Sequence, residues 1–560
     1  VYAFLRQGEL LVPFPGLPRT VSVGGDWPFA AALLLALVVA ALVGALLHLL
    51  VFQPLRTAPP LARAVAAIGV EVLLTGLLLE RVGTTGVPVQ GIFPSTILTL
   101  GDVRVPADRL WFAATVALVA AALAAAYRWT RFGLQTRAVA DSLPGAEVSG
   151  IDPGRVALAN WAISSAVAGL AGVLISPLVP LVPIAYTLFI VPALAAATAA
   201  GFKRLGAAVA AGLAIGMVQS ELAYLRSVHE WLPSSGLPEL VPLVLILLVL
   251  VVRGRPLPSR GAIVQQALAR APRPRRPLAA GGGGVLAAVL VLVVLHGRWR
   301  AGLLMSLVLA VVALSLVVVT GYAGQVSLAQ LSLAGAAGFV LGPLTTTWHL
   351  PLPVAPLLAA GVATVVGVLV GLPALRIRGL PLAVVTLALA LAIEALWFRN
   401  TDLVPPGGRD IARPSLLGLG LDLGPGSGAA YPRLAHCFFV LAVLAAVAFG
   451  VARLRTSRLG AAMLAVRTDE RAAAASGIGV VRVKVLAFAL GSFLAGLGGT
   501  LLAYGQGNVT FDAFSVLVGL GLFAATYLAG ITSVAGGLLA GLLASGGLVS
   551  VALDRWFHLG

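Results

Sequence analysis

The sequence predicts an all-α polytopic membrane protein made of two parallel repeats, each with broken or re-entrant helices. Three observations carry this. Of 560 residues, 60% are hydrophobic and only 10% charged, with a mean hydropathy of +1.04; a soluble domain of this size has too little interior to hide so much apolar surface. The arginines behind the net charge of +17 stand mostly in loops beside apolar runs, the positive-inside pattern. One segment also occurs twice, once in each half of the chain.

The two copies are residues 130–174 and 457–501. They align without a gap at an offset of 327 (458 − 131), with 17 of 45 positions identical. Alanine and glycine bias explains some identities, but not the shared order Arg-x-Gly, Ala-Val, Ser-Gly-Ile, Arg-Val and Ala-Gly-Leu-x-Gly. Each copy opens with arginines (Arg128, Arg131, Arg137; Arg453, Arg455, Arg458). A short Ala-rich helical stretch follows to Ser-Gly-Ile, and a long apolar run begins at Val156 or Val483. Gly150 and Gly477 suit helix C-termini, where a left-handed residue is needed. The pattern reads as a duplicated cytoplasmic loop leading into a membrane helix. The sharper reading is a docking element for a partner protein, because loops that only connect are usually shorter and less alike.

Taken in order, residues 1–28 are Pro- and Gly-rich and read as loop. The first span, 29–52, is stopped by Gln53, Pro54 and Arg56. The second, 63–79, contains Glu71; an external polar loop, 81–110, precedes the third, 111–127. Spans 156–176, 186–201, 205–219 and 240–252 follow, several short and broken by Gly or Pro, as half-helices shielded by protein are. Residues 253–282 hold seven arginines, no acidic residue and many prolines, and form a flexible basic linker on the cytoplasmic side. The second half places spans at 283–296, 301–320, 326–347, 354–372, 380–398, 436–451, 483–504, 514–530 and 534–553, with an external loop at 400–433. Four apolar segments separate the first repeated loop from the linker, an even number, so both Arg-rich segments share a side and the repeats are parallel. Parallel repeats place a substrate path at their interface. Downstream the repeat continues at an offset of 329 (541 − 212). At that offset 240–252 has no counterpart before Gly560, and nothing ahead of Phe29 matches 301–341, so a complete pair of repeats is expected to extend past both ends.

No enzyme signature is present. There is no GxxxxGK[ST] loop for ATP phosphates, and the two lysines are Lys203 and Lys484. A single Cys437 and six scattered histidines without HExxH argue against a disulfide, a cofactor or a catalytic metal. No basic helix with interleaved aromatics suggests nucleic acid. Polar residues inside apolar runs are the remaining candidates. Glu71 and Glu394 are functional candidates as intramembrane carboxylates, or else sit at helix ends or on interhelical hydrogen bonds. Asn160, Thr75 and Thr386 suit helix–helix contacts. The stretch GYAGQVSLAQLSLAGAAG, 321–338, puts Gln325 and Ser327 inside a span. It is either an interrupted helix that exposes backbone dipoles to a polar substrate, or close Gly/Ala packing. The substrate-path candidates are thus Gln325, Ser327, Thr386, Glu71 and Glu394.

At these residues the chain resembles the permeases of bacterial high-affinity branched-chain amino acid ABC transporters. LLVFQPLR (49–56), LARAVAAIGV (61–70) and RAVADSLPGAEVSGID (137–152) resemble the LivH type. GYAGQVSL (321–328), LRIRGLPLAVVTLALA (375–390), SRLGAAMLAVRTDERAAAASGI (457–478) and KVLAFALGSFLAGLGGTLLA (484–503) resemble the LivM type. The chain departs from the family after Leu328, where Ala329, Gln330 and Leu331 replace a histidine and aromatic residues. The resemblance implies a fusion: a LivH-like domain (1–252, N-terminally incomplete), the linker (253–282) and a LivM-like domain (283–560, C-terminally incomplete). It implies a multi-pass subunit of an ATP-driven importer in the bacterial cytoplasmic membrane, not itself an enzyme. Its partners would be two ATP-binding subunits, a periplasmic or lipid-anchored substrate-binding protein, the lipid bilayer and an amino acid substrate. The repeated loops would couple to the ATPases through Arg131, Gly133, Ala138, Ala146 and Gly150, and through Arg458, Gly460, Arg467, Asp469, Glu470, Ala473 and Gly477. Alternatives are a permease of the same family for urea or short amides, an ion-coupled secondary transporter that relies on Glu71 or Glu394, and an inactive fragment.

Overall fold

The structure, a computed structural model, describes all residues except 14–17, 26, 84–85, 88, 95, 101–102, 183–185, 203, 230, 234, 254–270, 274–276, 375–379, 417–418, 425–430 and 558–560. Most of the expected linker and the LRIRG part of one motif therefore lie outside the described residues. The chain forms two compact units, Val1–Leu213 and Ala214–Gly560. Among the described residues, ten helices are long and apolar enough to cross a membrane, and the strands form only short two-stranded ladders. The chain is an all-α, multi-pass membrane protein.

The first unit contains α1 (Phe29–Leu47), α2 (Pro60–Val82), α3 (Ala107–Trp129), α4 (Arg131–Asp141), α5 (Leu143–Val148), α6 (Pro153–Ile175) and α7 (Ile190–Ala199). α8 (Leu205–Val228) crosses the boundary between the units. Leu34, Leu42, Leu73 and Leu118 are exposed on α1–α3, as side chains facing lipid are. The first 28 residues are more ordered than their Pro and Gly content suggests: a helical turn, Tyr2–Leu5, is followed by an antiparallel ladder of Glu9–Leu11 with Thr20–Ser22. α8 outruns its expected end at 219, because Glu221 and Arg226 are good helix formers that extend it beyond the apolar stretch.

The second unit contains α9 (Leu237–Arg253), α10 (Pro277–Val294), α11 (Gly297–Leu316), α12 (Gln330–Thr346), α13 (Val354–Ala374), α14 (Leu380–Ile393) and α15 (Leu434–Thr456). Then come α16 (Arg458–Thr468), α17 (Glu470–Ala475), α18 (Val480–Gln506), α19 (Val516–Gly530), α20 (Val534–Leu543) and α21 (Leu548–Phe557). α11 is apolar on every side and is the central helix, buried along nearly its whole length. Small residues let α18 and α20 approach it: Gly491 lies against Val319, Gly498 against Val312 and Gly541 against Ser306 and Ala310. The expected single span at 534–553 is two helices, parted at 544–547 where Gly546 takes φ +76°. Arg409–Asp410 pairs with Asn508–Val509, which ties the loop after α14 to the end of α18.

The helix pair α1–α6 in one unit is built like α13–α18 in the other. A Cβ added to Gly44 would stand 2.1 Å from Ser165 Oγ, and one added to Gly367 would stand 1.9 Å from Ser492 Oγ. Gly169 likewise lies on Ala40, and Gly496 on Ala363. The long helices keep the offset of 327 (492 − 165 and 496 − 169), whereas their partners are 323 apart (367 − 44 and 363 − 40). The repeat therefore extends upstream of the loop, through a four-residue change of register that direct alignment misses.

Candidate functional site

The two repeated loops have the same construction. Thr130 Oγ1 accepts from the Gly133 N–H at 3.2 Å and starts α4; Ser457 Oγ accepts from Gly460 N–H at 3.1 Å and starts α16. Gly133 and Gly460 have no room for a side chain, since a Cβ would lie 2.1 Å from the Tyr127 carbonyl oxygen and 1.9 Å from that of Leu454. The Ala138 carbonyl accepts from Ser142 N–H where α4 ends, and Ala465 from Asp469 N–H where α16 ends. Ser142 then caps α5, and Asp469 caps α17 through the N–H groups of Arg471 and Ala472 at 2.8 and 3.2 Å. Both short helices close on a left-handed glycine, Gly150 at φ +76° and Gly477 at φ +81°. The Ile151 and Ile478 N–H groups return 3.0 Å bonds to the Ala146 and Ala473 carbonyls. This accounts for the shared Ser-Gly: the serine hydroxyls donate to the Gly145 and Ala472 carbonyls, and glycine turns the chain. Ala146 and Ala473 are buried, so only a methyl fits there, while Arg131, Arg458 and Asp469 are exposed.

The joints between loop and membrane helix differ in chemistry. In the first copy Tyr127 OH donates to Asn160 Oδ1 at 2.7 Å, and Asn160 Nδ2 donates to Thr136 Oγ1 at 3.1 Å. At the offset of 327 those three positions hold Leu454, Ala487 and Met463, and Ala487 and Met463 are fully buried. In the second copy Lys484 Nζ lies 2.8 Å from Glu470 Oε1, with the lysine side chain 1% exposed, and Arg467 Nη1 donates to the Gly321 carbonyl at 2.5 Å. Burial, with the Arg455 guanidinium second, lowers the Arg467 pKa from the usual arginine value. Lys484 escaped the sequence reading as a site residue, although a lysine at the start of a membrane helix, 14 residues after a glutamate (484 − 470), was a visible signal.

The glycine-rich stretch is an interrupted helix. After Leu316 the backbone loosens into a π-helical stretch, Val317–Tyr322, breaks at 323–329 and resumes at Gln330. Helix α12 thus starts four residues later than expected (330 − 326), because the polar side chains of the break bond locally instead. Thr320 Oγ1 donates to the Gln325 carbonyl, Gln330 Nε2 to Ser327 Oγ, Ser315 Oγ to Gln330 Oε1, and the Leu328 N–H to Thr386 Oγ1. Gln325, Ser327 and Thr386 therefore all serve the break: Thr386 holds the Leu328 N–H, Thr320 the Gln325 carbonyl, and Ser327 ends a Ser315–Gln330–Ser327 chain, in which Ser315, Thr320 and Gln330 were not selected from the sequence. All six are buried, and Gln325 Oε1 has no hydrogen-bond partner. Glu394 stands apart from them: it takes Arg399 Nε and Nη2 at 2.9 and 2.6 Å and the Val516 N–H at 3.0 Å, at the start of α19. Glu71 accepts from Thr75 at 3.2 Å and Thr187 at 3.4 Å, and its Oε2 is buried without a partner. Each glutamate follows its serine-seating glycine by 27 residues (71 − 44 and 394 − 367), and each reaches the segment that follows the long repeated helix. At the end of α18 away from the loop, Thr346, Gly408, Arg409, Asp410 and Asn508 line an open cavity of about 610 Å³.

Two copies of one helical unit, each with a capped loop ahead of its long membrane helix, and a polar interruption in the central helix define a duplicated membrane protein of the transporter kind. The chain matches the family described as branched-chain amino acid transport system, permease component, over residues 12–252 and again over 300–557. It belongs to that family, with one copy of the family domain in each half. It is 30% identical to the high-affinity branched-chain amino acid transport system permease protein LivM of Escherichia coli (strain K12), over 45% of this chain and 63% of that protein. It is 26% identical to the corresponding LivH of the same strain, over 40% of this chain and 75% of that protein. A probable LivH of Methanocaldococcus jannaschii is 33% identical over 17% of this chain and 30% of its own length. The chain thus spans just under two thirds of the LivM relatives it matches. No solved structure gives a significant match.

Proposed function

We propose that this chain is the membrane subunit of an ATP-driven importer for branched-chain or related hydrophobic amino acids, in a bacterial cytoplasmic membrane. A LivH-like half, 1–252, and a LivM-like half, 283–560, are joined by the basic linker 253–282. The observation that carries the reading is the pair of loops built alike from capped helices, buried alanines and left-handed glycines. In this reading each loop docks one ATP-binding subunit. The first loop presents Leu134, Leu143 and Val148 to solvent, the last 91% exposed, which is the kind of apolar surface a partner covers. A substrate-binding protein faces the opposite side, at the loop 400–433 and the cavity beside Arg409. In this reading the buried amide and hydroxyl groups around Gln325 line the substrate path. The partner subunits, in this reading, hydrolyse the ATP.

The test is recovery of the tagged full-length protein from native membranes, followed by mass spectrometry. Two ATP-binding chains and a binding protein are expected. A second reading, ion-coupled transport, is favoured by the unpartnered oxygen of Glu71 on a membrane helix. Leucine uptake by vesicles that hold this chain alone, driven by a proton or sodium gradient, would replace the first reading with the second.

A further inference from the structure

We propose that the two loops are mechanically unequal, and that Arg467 is the positioning residue through which the second loop acts on the interrupted helix. This rests on the reading that ATP-binding subunits dock on the loops. The Arg467 guanidinium donates to the carbonyl of Gly321, inside the π-helical stretch that precedes the break. An interrupted helix leaves carbonyls without their usual partners, and a guanidinium supplies a charged donor. The break is shaped around the arginine: Gly324 takes φ +70°, and a Cβ there would stand 2.9 Å from Arg467 Cγ. One residue further on is Gln325, and three further on is Ser327, both in the buried polar network. The Glu470–Lys484 pair holds α17 on the second turn of α18. A displacement of α16 and α17 therefore pulls on the break through Arg467.

The first loop does not repeat these three side chains. At the offset of 327, Arg467, Glu470 and Lys484 correspond to Ala140, Leu143 and Ala157. Its backbone and caps are retained, and its tie to the membrane helix is the neutral Tyr127–Asn160–Thr136 chain instead. The first loop is a dock; the second is a dock and a lever.

The test uses the full chain assembled with its ATP-binding subunits in proteoliposomes. It reads the amount of ATPase recovered, leucine uptake per ATP hydrolysed, and the rate at which a membrane-permeant thiol reagent labels Ser327→Cys in a Cys437→Ser background, with and without ATP. Arg467→Met is expected to recover the ATPase subunits, to lower uptake per ATP at least tenfold, and to abolish the effect of ATP on labelling. Arg467→Lys, which keeps a donor, restores part of both. Gly324→Ala displaces the arginine stem without touching the loop and gives the same pattern. Ala140→Met in the first loop leaves uptake per ATP within twofold. The proposal is overturned if Arg467→Met stays within twofold of the parent, if it loses the ATPase subunits, or if Ala140→Met is equally damaging; these outcomes leave the docking reading intact. Failure of the parent chain to recover any ATPase subunit sinks that reading and the proposal with it.

Discussion

Replacing Lys484 by Met removes one half of an ion pair that is almost out of reach of water. Its Nζ is 2.8 Å from Glu470 Oε1, and the two side chains are 1% and 13% exposed. At an effective dielectric near 20, two unit charges at that separation attract by about 6 kcal/mol. Desolvation offsets most of this attraction, yet removing one partner of a buried pair costs about 3–5 kcal/mol because the other charge is stranded. Glu470 keeps some contact with water, so Lys484→Met is expected at the low end, about 3 kcal/mol, and Glu470→Gln at a similar cost. The double variant leaves neither charge facing its lost partner, so its loss should be smaller than the two single losses added together, by about 2 kcal/mol. The assay is unfolding of the purified chain by SDS titration in mixed micelles, followed by circular dichroism, for the parent and three variants. Leu143→Glu, the equivalent position in the first loop and 51% exposed, is the control and should shift stability by no more than about 0.5 kcal/mol. Strict additivity of the two single losses would refute the pairing.

Two further predictions concern the same loops. Gly460→Ala drives a Cβ into the Leu454 carbonyl and should cost about 3 kcal/mol, the upper end of overpacking, whereas Gly477→Ala meets nothing within 4 Å and should cost only the left-handed backbone penalty, about 1 kcal/mol; thermal unfolding in detergent that ranks them the other way would defeat the assignment. Asn160→Ala leaves Tyr127 and Thr136 without their shared partner and should cost about 1–2 kcal/mol, while the triple change Tyr127→Leu, Thr136→Met, Asn160→Ala, which installs the second copy's residues, should regain most of it. A triple variant less stable than Asn160→Ala alone would mean that the two joints are not interchangeable.

The loops were legible because their information is local. Capping serines and threonines, glycines with positive φ and the Ser-Gly-Ile turn each act within a few residues, so a gapless repeat in the letters became a repeat in the backbone. The break at 323–329 was visible for a related reason, since glycines and amides have no ordinary place in a membrane span. What the letters hid were long-range pairings. The match of α1–α6 with α13–α18 rests on a glycine seating a serine more than a hundred residues away, across a shift from 327 to 323. Arg467 read as a residue that couples to a partner, and its bond to Gly321, 146 residues earlier in the chain, was not visible. The C-terminal end of α8 was obscured by polar residues that a hydropathy reading treats as a stop, although the helix needs only that they turn away from lipid.

The two copies also differ in stiffness. Helix α8 is one rod of 24 residues, about 36 Å at 1.5 Å per residue, which is longer than a hydrocarbon core of about 30 Å. Its counterpart at the offset of 329 begins at Val534 and ends at Phe557 but is cut into two rods of 10 residues, each about 15 Å. A rod that exceeds the bilayer answers a change in thickness by tilting as a whole, and everything attached to it swings. A jointed rod absorbs the same change by bending at 544–547, with its two ends held where they are. Lipid chain length is thus a variable to which α8 is stiff and its jointed counterpart compliant.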